Sequence, residues 1–583
     1  MTEKFEARIK KYQIEKKQIE EKSRNLVNLR GLFAIIFIVT AFHGINGGFL
    51  WTHYLIGIVA AVIFCYFVYK HTLTKVSLEL VNEKIRINER QKKRLTGEWT
   101  SFTETGEDEI DVNHPYLVDL DILGEGSLYQ HISDAKTYYG HQFLKDVLLK
   151  RDDLHTIKDR QHAIAEISKN TEFTENFKAI MGLTKGLGDD PAELIKFLEE
   201  PDKAFKKVRY AFLLTLGLII LPVVNLIVPS EVWVYLFVGL FAVQALVFVL
   251  YLPKTSQILG MLGQFKRSMG RLKQIIQLIQ RTEFEADLNK KMRTFLVEDK
   301  DPIKFISALN RIETAVSFRQ SGLFFLALNL GFLWDINCVL SLEDLKTKSN
   351  IATWLRTIGF FEVLVSLGNI GELHPDWVMP QFTTDMRLEM EEMSHPLLQD
   401  AVPNTYTHKN ISLITGSNMS GKTTFLRAIG TNLVLAYVGA PVPARLFRVP
   451  LMDIYTCMRT IDNLQENKST FYAELTRLKR IIDRAEQKAP MLFLIDEIFR
   501  GTNSEDRITG AKQILHQLNQ PHLMGLLTTH DLAICEVDSF SGFSTYHFKE
   551  YYEDGEIQFD YKIRNGRSTT RNAKYLMAMV GIK

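Results

Sequence analysis

The residues whose types and spacing hold the most chemistry are Gly416, Ser417, Asn418, Met419, Ser420, Gly421, Lys422 and Thr423. They follow the apolar run Ile411-Ser412-Leu413-Ile414-Thr415 and lead into Thr424-Phe425-Leu426-Arg427. This is a G-x-x-x-x-G-K-[ST] loop between an expected strand and an expected helix. Its backbone N–H groups and the helix N-terminus form a nest for anionic phosphate. Lys422 would reach the β and γ phosphates of a nucleotide, and the Thr423 hydroxyl would ligate Mg²⁺. The bland alternative is a glycine-rich turn that only caps a helix. The strand before it and the helix after it argue against a chance match.

A second group lies downstream. The apolar run Met491–Ile495 is an expected strand that ends in Asp496 and Glu497. Asp496 is placed to hold Mg²⁺, directly or through water. Glu497 is the candidate to polarise an attacking water. A tight polar turn, Arg500-Gly501-Thr502-Asn503-Ser504, comes next. Another apolar run, Leu523–Leu527, continues through Thr528 and Thr529 to His530, which would sense the γ-phosphate through a hydrogen bond. Taken alone, His530 would read as a surface histidine. Ser469-Thr470-Phe471 opens a further helix with Glu474 near its first turns, which by itself is only an N-cap signal.

These groups need a scaffold, and 583 residues allow several domains. Strand signals are sparse before about residue 380; from there strand and helix alternate, as in an α/β nucleotide-binding domain. Residues 115–205 and 255–370 have helical periodicity. Net charge is +2, from 70 basic and 68 acidic residues, so overall balance argues neither for nor against nucleic acid. The four cysteines are scattered without metal-ligand spacing, as expected in a reducing compartment. No cleavable signal peptide is expected, because the first apolar run starts near residue 31 after a charged segment.

Two apolar hairpins interrupt the helical part. The first pairs Gly31–Gly47 with Phe49–Tyr69, its first arm interrupted by His43 and Asn46. The second pairs Tyr210–Val228 with Val232–Leu252 through Pro229-Ser230-Glu231. Arms of about 20 residues span a hydrocarbon core of roughly 30 Å. Lysines and arginines flank both hairpins at their bases and are missing from both tips. By the positive-inside rule, four spans would leave the soluble domains on the cytoplasmic face. Buried helical hairpins in a large α-domain are the alternative. A third apolar stretch, Gly322–Trp334, is too short to span and ends on Asp335, so a core helix is expected.

The expected fold is therefore multidomain: an α-helical core and lever region with inserted transmembrane hairpins, then a C-terminal α/β ATPase domain. The segments are a charged helical lead-in (1–30), hairpin 1 (31–69), a juxtamembrane helix and linker (70–113), a helical core (114–205), hairpin 2 (206–253), lever and core helices (254–380), the P-loop domain (381–560) and a C-terminal tail (561–583).

Taken together the motifs resemble the MutS mismatch-repair ATPases. The residues that carry the resemblance are Thr415–Thr424, Asp462-Asn463-Leu464, Ser469-Thr470-Phe471 with Glu474, Asp496–Ser504 and Thr528-Thr529-His530. Asp121–Tyr129, Ala135–Gly140 and Asp159-Arg160-Gln161 look like the start of that family's helical core, and Ser394-His395-Pro396 like its lead into the ATPase domain. The closing Gly566–Gly581 looks like its helical dimerisation tail. Ser417 and Ser420 depart from the family's usual Pro and Gly, and Asp531 stands where an aromatic is common. Nothing before residue 115 resembles the mismatch-reading domain, and the stretch near 285–305 is short for a DNA-gripping clamp.

The resemblance implies a homodimer with two composite sites for ATP and Mg²⁺. Lys422, Thr423, Asp496, Glu497 and His530 would act within one protomer, and Ser469 and Thr470 would approach the partner's nucleotide. ATP would then switch the lever helices between two arrangements. Three functions are compatible. A membrane-anchored MutS-like ATPase would engage mismatched or structured DNA, with Lys266, Arg267, Arg271 and Lys273 as contacts; those charges equally fit a solvated face or a lipid-headgroup patch. An ATP-controlled membrane scaffold would bind a protein partner instead. An ABC-like transporter is disfavoured by the lack of a Leu-Ser-Gly-Gly-Gln signature and by the few polar residues along the spans.

Overall fold

The computed structural model describes all residues except 47–50, 185–186, 201–202, 265, 299, 318–321, 409, 418, 460–469, 500–503, 532, 535–541, 554–555 and 568–583. Its N-terminal two thirds are helical and its C-terminal third is α/β.

The chain opens with two helices of 45 residues each, Thr2–Asn46 and Trp51–Leu95, packed along one another. The charged lead-in and the first apolar arm are one helix, as are the second apolar arm and the juxtamembrane segment. The changes near residues 30 and 70 are thus changes of composition within continuous helices. An isolated Gly31 costs only about 1 kcal/mol and does not break the run. The apolar halves stand outside the core, with Ile35, Ile38, Phe42, Leu55, Ile58 and Val62 all exposed. The charged halves are docked. Arg8 Nη1 lies 2.6 Å from Glu372 Oε1, the Tyr12 hydroxyl donates to Glu175, and Lys92 Nζ lies 2.6 Å from Glu6 of the other helix. Buried Arg94 donates to Asp134 Oδ1 at 2.8 Å, and Lys178 lies 3.3 Å from Asp134 Oδ2. Burial alone would raise the Asp134 carboxyl, but Arg94, Lys178 and Arg90 together hold it far below the usual carboxylate range.

The core is built around helix Ile351–Leu373, which packs on helices Tyr138–Leu149 and Leu154–Lys169. It is long and apolar enough to cross a membrane, yet it is buried within the protein, with Trp354, Ile358 and Phe361 inaccessible. Its Glu362 accepts from the backbone N–H of Lys136 at 2.7 Å and from the N–H and hydroxyl of Thr137, so it anchors the start of helix Tyr138–Leu149.

The second hairpin pairs helix Phe212–Ile227, 16 residues long, with helix Glu231–Gln264. The first arm is shorter than its apolar sequence, because residues 209–211 form a turn. At 1.5 Å per residue it covers about 24 Å. The second arm continues through Pro253, so the apolar boundary at residue 253 is not a helix end. Helix Gly322–Phe332 corrects the expected core helix. Phe324, Leu326 and Phe332 are exposed, and the helix packs on both arms of the second hairpin instead of entering the core.

Ten strands follow among the described residues: β1 Gln381–Thr383, β2 Leu388–Met393, β3 Asn404–His408, β4 Ile411–Thr415, β5 Leu446–Pro450, β6 Asp453–Cys457, β7 Met491–Asp496, β8 Leu523–Thr529, β9 Phe543–Glu553 and β10 Glu556–Asn565. A four-stranded sheet has the order β1-β5-β2-β3 and a six-stranded sheet the order β10-β9-β4-β8-β7-β6. Strands β9, β4, β8, β7 and β6 pair in parallel, and β10 adds antiparallel at the edge. Every residue of β4, β7 and β8 is buried, which explains their near-continuous apolar runs. Gly525 in β8 is required by its neighbour, since a Cβ there would stand 1.9 Å from Phe493 Cζ. Strand β10 runs to Asn565, so the expected tail does not begin at residue 561. Residues 568–583, which hold most of that tail, lie outside the described residues.

Candidate nucleotide site

Strand β4 delivers the loop 416–421 onto the N-terminus of helix Lys422–Tyr437. The loop turns through left-handed backbone at Met419 (φ 70°) and Gly421 (φ 97°). At Gly421 a Cβ would also meet Tyr561 Cδ1 at 3.0 Å, so glycine answers both a conformational and a steric demand. Lys422 Nζ donates to the carbonyls of Gly416 (2.8 Å) and Ser417 (2.7 Å), which folds the ammonium over the loop. The Ser417 hydroxyl donates to Glu550 Oε2 at 2.6 Å and ties the loop to β9.

The carboxylates converge on this loop from the strand tips. Thr423 Oγ1 donates to Asp496 Oδ2 at 2.9 Å, and the Thr528 hydroxyl donates to Asp496 Oδ1. The Glu497 N–H donates to the Thr528 carbonyl at 3.2 Å, and Glu497 takes left-handed backbone (φ 53°) as the chain leaves β7. His530 Nδ1 lies 3.5 Å from Glu497 Oε1, with the imidazole half exposed. Glu474 accepts from the Phe499 N–H at 2.5 Å and so fixes the turn that follows Glu497.

The structure therefore brings Lys422, Thr423, Asp496, Glu497 and His530 together, with Gly416, Ser417, Met419, Ser420, Gly421 and Thr424 in the loop and first helical turn. Asn418 and Ser469 lie outside the described residues. Thr470 begins helix Thr470–Ala485, but its side chain also lies outside them.

Lys422, Thr423, Thr424, Asp496 and Glu497 line one cavity of ≈ 590 Å³, within the usual range for a small-molecule site. Its other wall was not legible as a site in the sequence. His395, Phe548 and Tyr561 line it as well. Burial, with the Arg427 charge adding to it, lowers His395 to about 4, so its ring is neutral at physiological pH. Tyr561 sits on β10, where Asn404 Nδ2 donates to its carbonyl at 3.0 Å. His395 belongs to a motif visible in the sequence, while Tyr561 falls where a tail was expected.

The residues present fit ATP with Mg²⁺. The Ser420 hydroxyl is buried in the loop without a hydrogen-bond partner among the described residues, and Thr423 and Asp496 supply a hydroxyl and a carboxylate side by side. That oxygen-only pair is the donor chemistry a hard divalent cation takes.

The helical core reaches this domain through two acids. Asp119, fully buried, accepts from the Thr456 hydroxyl (2.7 Å), the Met458 N–H (3.0 Å) and the Arg459 N–H (3.1 Å), and it pairs with Arg477. Asp121 pairs with Arg427 at 3.1 Å and with Arg459 at 2.7 Å. Arg427 lies about a turn and a half past Lys422 on the same helix.

A mainly parallel sheet with a glycine-rich loop feeding a buried helix, and carboxylates at the neighbouring strand tips, defines an α/β domain with a polar-lined cavity at its strand tips. Residues 412–581 match the family described as MutS domain V. The DNA mismatch repair protein MutS of Leptospira interrogans is 27% identical over 254 residues, 41% of this chain and 30% of that protein. MutS protein homolog 4 of Mus musculus is 31% identical over 254 residues, covering 41% and 25%. The MutS of Aquifex pyrophilus is 29% identical over 236 residues, covering 39% and 27%. Over this C-terminal domain the chain is similar to the MutS family. It spans less than a third of the length of these curated relatives.

Proposed function

We propose that this chain is a membrane-anchored ATPase of the MutS type that binds and hydrolyses ATP as a dimer and passes the resulting movement to its long helices. The observation that carries the proposal is the convergence of Lys422, Thr423, Asp496 and Glu497 on one cavity, with His530 3.5 Å from Glu497 beside it. Thr423 and Asp496 would hold Mg²⁺, which supplies charge neutralisation for the phosphates. Lys422 would exchange its two loop carbonyls for phosphate oxygens. Glu497 would accept the proton of the attacking water, and His530, 3.5 Å from it, would hold that carboxylate in place and report on the γ-phosphate. Ser469 and Thr470 would complete the partner's site.

The exposed apolar halves of the N-terminal helices and of the second hairpin support anchoring in a bilayer, with the soluble domains on its cytoplasmic face. DNA, mismatched or structured, is the first reading for what the helical region engages, since relatives over this domain are named as DNA mismatch repair proteins. A protein partner is the second reading. It is favoured by the shortness of helices Asp287–Val297 and Pro302–Ser317, 11 and 16 residues, which offer little reach for a DNA clamp.

The test is co-purification from gently solubilised membranes using Glu497→Gln, which should hold the ATP-bound closed dimer. Salt-sensitive DNA retention supports the first reading. A stoichiometric protein without DNA supports the second. A protein that stays monomeric with ATP and Mg²⁺, or that is released by carbonate washing, refutes the dimeric, anchored ATPase.

A further inference from the structure

We infer that helix Gly322–Phe332 is a third membrane-embedded element, a half-helix that enters one leaflet beside the second hairpin, turns back at Leu333 without crossing, and is held there by Gln244. The inference rests on the proposed anchoring of that hairpin and adds to it an element that the sequence does not reveal.

The surface comes first. Phe324, Leu326 and Phe332 point away from the protein, being 64%, 52% and 47% exposed. The opposite face lies on both arms of the second hairpin, with the Phe325 ring 5.8 Å from that of Phe248. The exposed apolar face is thus continuous with that of the hairpin, where Leu246, Val249 and Leu250 are also exposed. An occupant that covers the hairpin also covers this helix, and acyl chains are the occupant that suits both.

The backbone comes second. Eleven residues make a helix of about 16 Å, roughly half the hydrocarbon thickness, so it must end inside or turn. Helix ends leave carbonyls without intrahelical partners, which is costly where water is missing. The chain breaks at Leu333 (φ 48°) and bends 70° into helix Trp334–Lys346. The freed groups at this break are met by side chains. Gln244, inaccessible to solvent on the long arm, donates to the Leu330 carbonyl at 2.7 Å. Asn337 donates to the Phe332 carbonyl at 2.8 Å. Asn329, also inaccessible, accepts from the Asp335 N–H at 3.0 Å and donates to the Phe325 carbonyl at 3.0 Å.

A glutamine within an apolar span is expensive unless it meets a specific partner, and here the partner is a carbonyl at a helix break. The returning helix ends near the charged base of the hairpin, where Arg209 and Asp344 pair at 3.1 Å. Leu333 and Asp335 are themselves buried, so the break lies against the protein, and only the outer face carrying Phe324, Leu326 and Phe332 is left for acyl chains.

The test uses the full chain with its four cysteines replaced, reconstituted in phosphatidylcholine vesicles with brominated acyl chains. Single cysteines at Leu326, at Leu246 in the long arm and at Leu398 in the α/β domain carry an environment-sensitive fluorophore. The Leu326 label should be quenched about twofold or more, like Leu246 and unlike Leu398. Quenching at Leu246 but not at Leu326 overturns the half-helix and leaves the anchoring intact, including the case where Leu326 instead cross-links to a second copy. No quenching at either position refutes the anchoring itself. Gln244→Leu should lower quenching at Leu326 while leaving Leu246 unchanged; equal quenching at Leu326 in that variant removes Gln244 from the proposal.

Discussion

Asp119 and Arg477 form an ion pair across 358 positions of sequence, joining the entry of the helical core to helix Thr470–Ala485. Three other donors depend on the same carboxylate: the Thr456 hydroxyl and the N–H groups of Met458 and Arg459. This helix is the one that begins at Thr470. Any movement of the core toward or away from the α/β domain therefore pulls on the segment expected to reach the partner's nucleotide.

Asp119→Ala should lower stability by about 2–4 kcal/mol, since it strands an arginine and several buried N–H groups. Asp119→Asn keeps the shape but loses the charge, and should separate folding from coupling. Thermal unfolding near that of the native protein together with reduced ATP turnover is the expected outcome for Asn. Unchanged turnover would show that the strut does not bear on the site.

Lys422→Ala should reduce phosphate release by about 100-fold or more. Glu497→Gln should reduce it by roughly 100-fold to 10,000-fold while keeping nucleotide binding, because the lost group acts on water and not on the phosphates. Parallel measurements of turnover and of fluorescent nucleotide binding distinguish these. Full turnover in either variant would mean that the cavity has been misassigned.

Glu362 gives a pH prediction. Burial raises its carboxyl to about 7 in the folded protein, against 4.5 for the free group, despite the hydrogen bonds from Lys136 and Thr137 that oppose the rise. The folded state thus favours the protonated form. Its contribution is fully present below pH 4.5 and is lost as pH rises through about 7. Glu362→Gln should remove this dependence, changing the stability difference between those limits by about 1–3 kcal/mol. Denaturation midpoints of both proteins in detergent across that window provide the measurement, and parallel curves would count against the assignment.

Gly525→Ala should destabilise the six-stranded sheet by about 1–3 kcal/mol, because the added methyl collides with the Phe493 ring. Gly525→Ala combined with Phe493→Leu should recover part of the loss. Additive losses in the double variant would place the strain elsewhere.

The strand–loop–helix unit around Lys422 and the strand ending at Asp496 were legible because parallel strands buried on both faces are apolar without interruption, and their tips are where polar residues begin. The helical character of the first two thirds was legible from periodicity. Tyr561 was missed because its segment was read as a tail, although Ile557, Phe559, Tyr561 and Ile563 alternate with polar residues as a half-buried strand does, here paired with β9. Helix Gly322–Phe332 was misread because length and composition are the same for a short core helix and an outward-facing one. Burial is decided by the neighbour, here the arm carrying Gln244. Helix Ile351–Leu373 is the converse: hydropathy alone would send it out, and its buried Glu362 and Asn369 keep it among partners that satisfy them.

The two 45-residue helices have no proline and are unbroken from the Arg8 and Arg94 contacts to the outer apolar halves. At 1.5 Å per residue each is about 67 Å long, so a tilt of about 5° at the docked end displaces the far tip by roughly 6 Å. Small angular changes in the core are geometrically amplified, and the amplification needs no joint along the shaft. A proline introduced midway would convert a rigid pointer into a slack one, leaving both ends folded but out of register with each other.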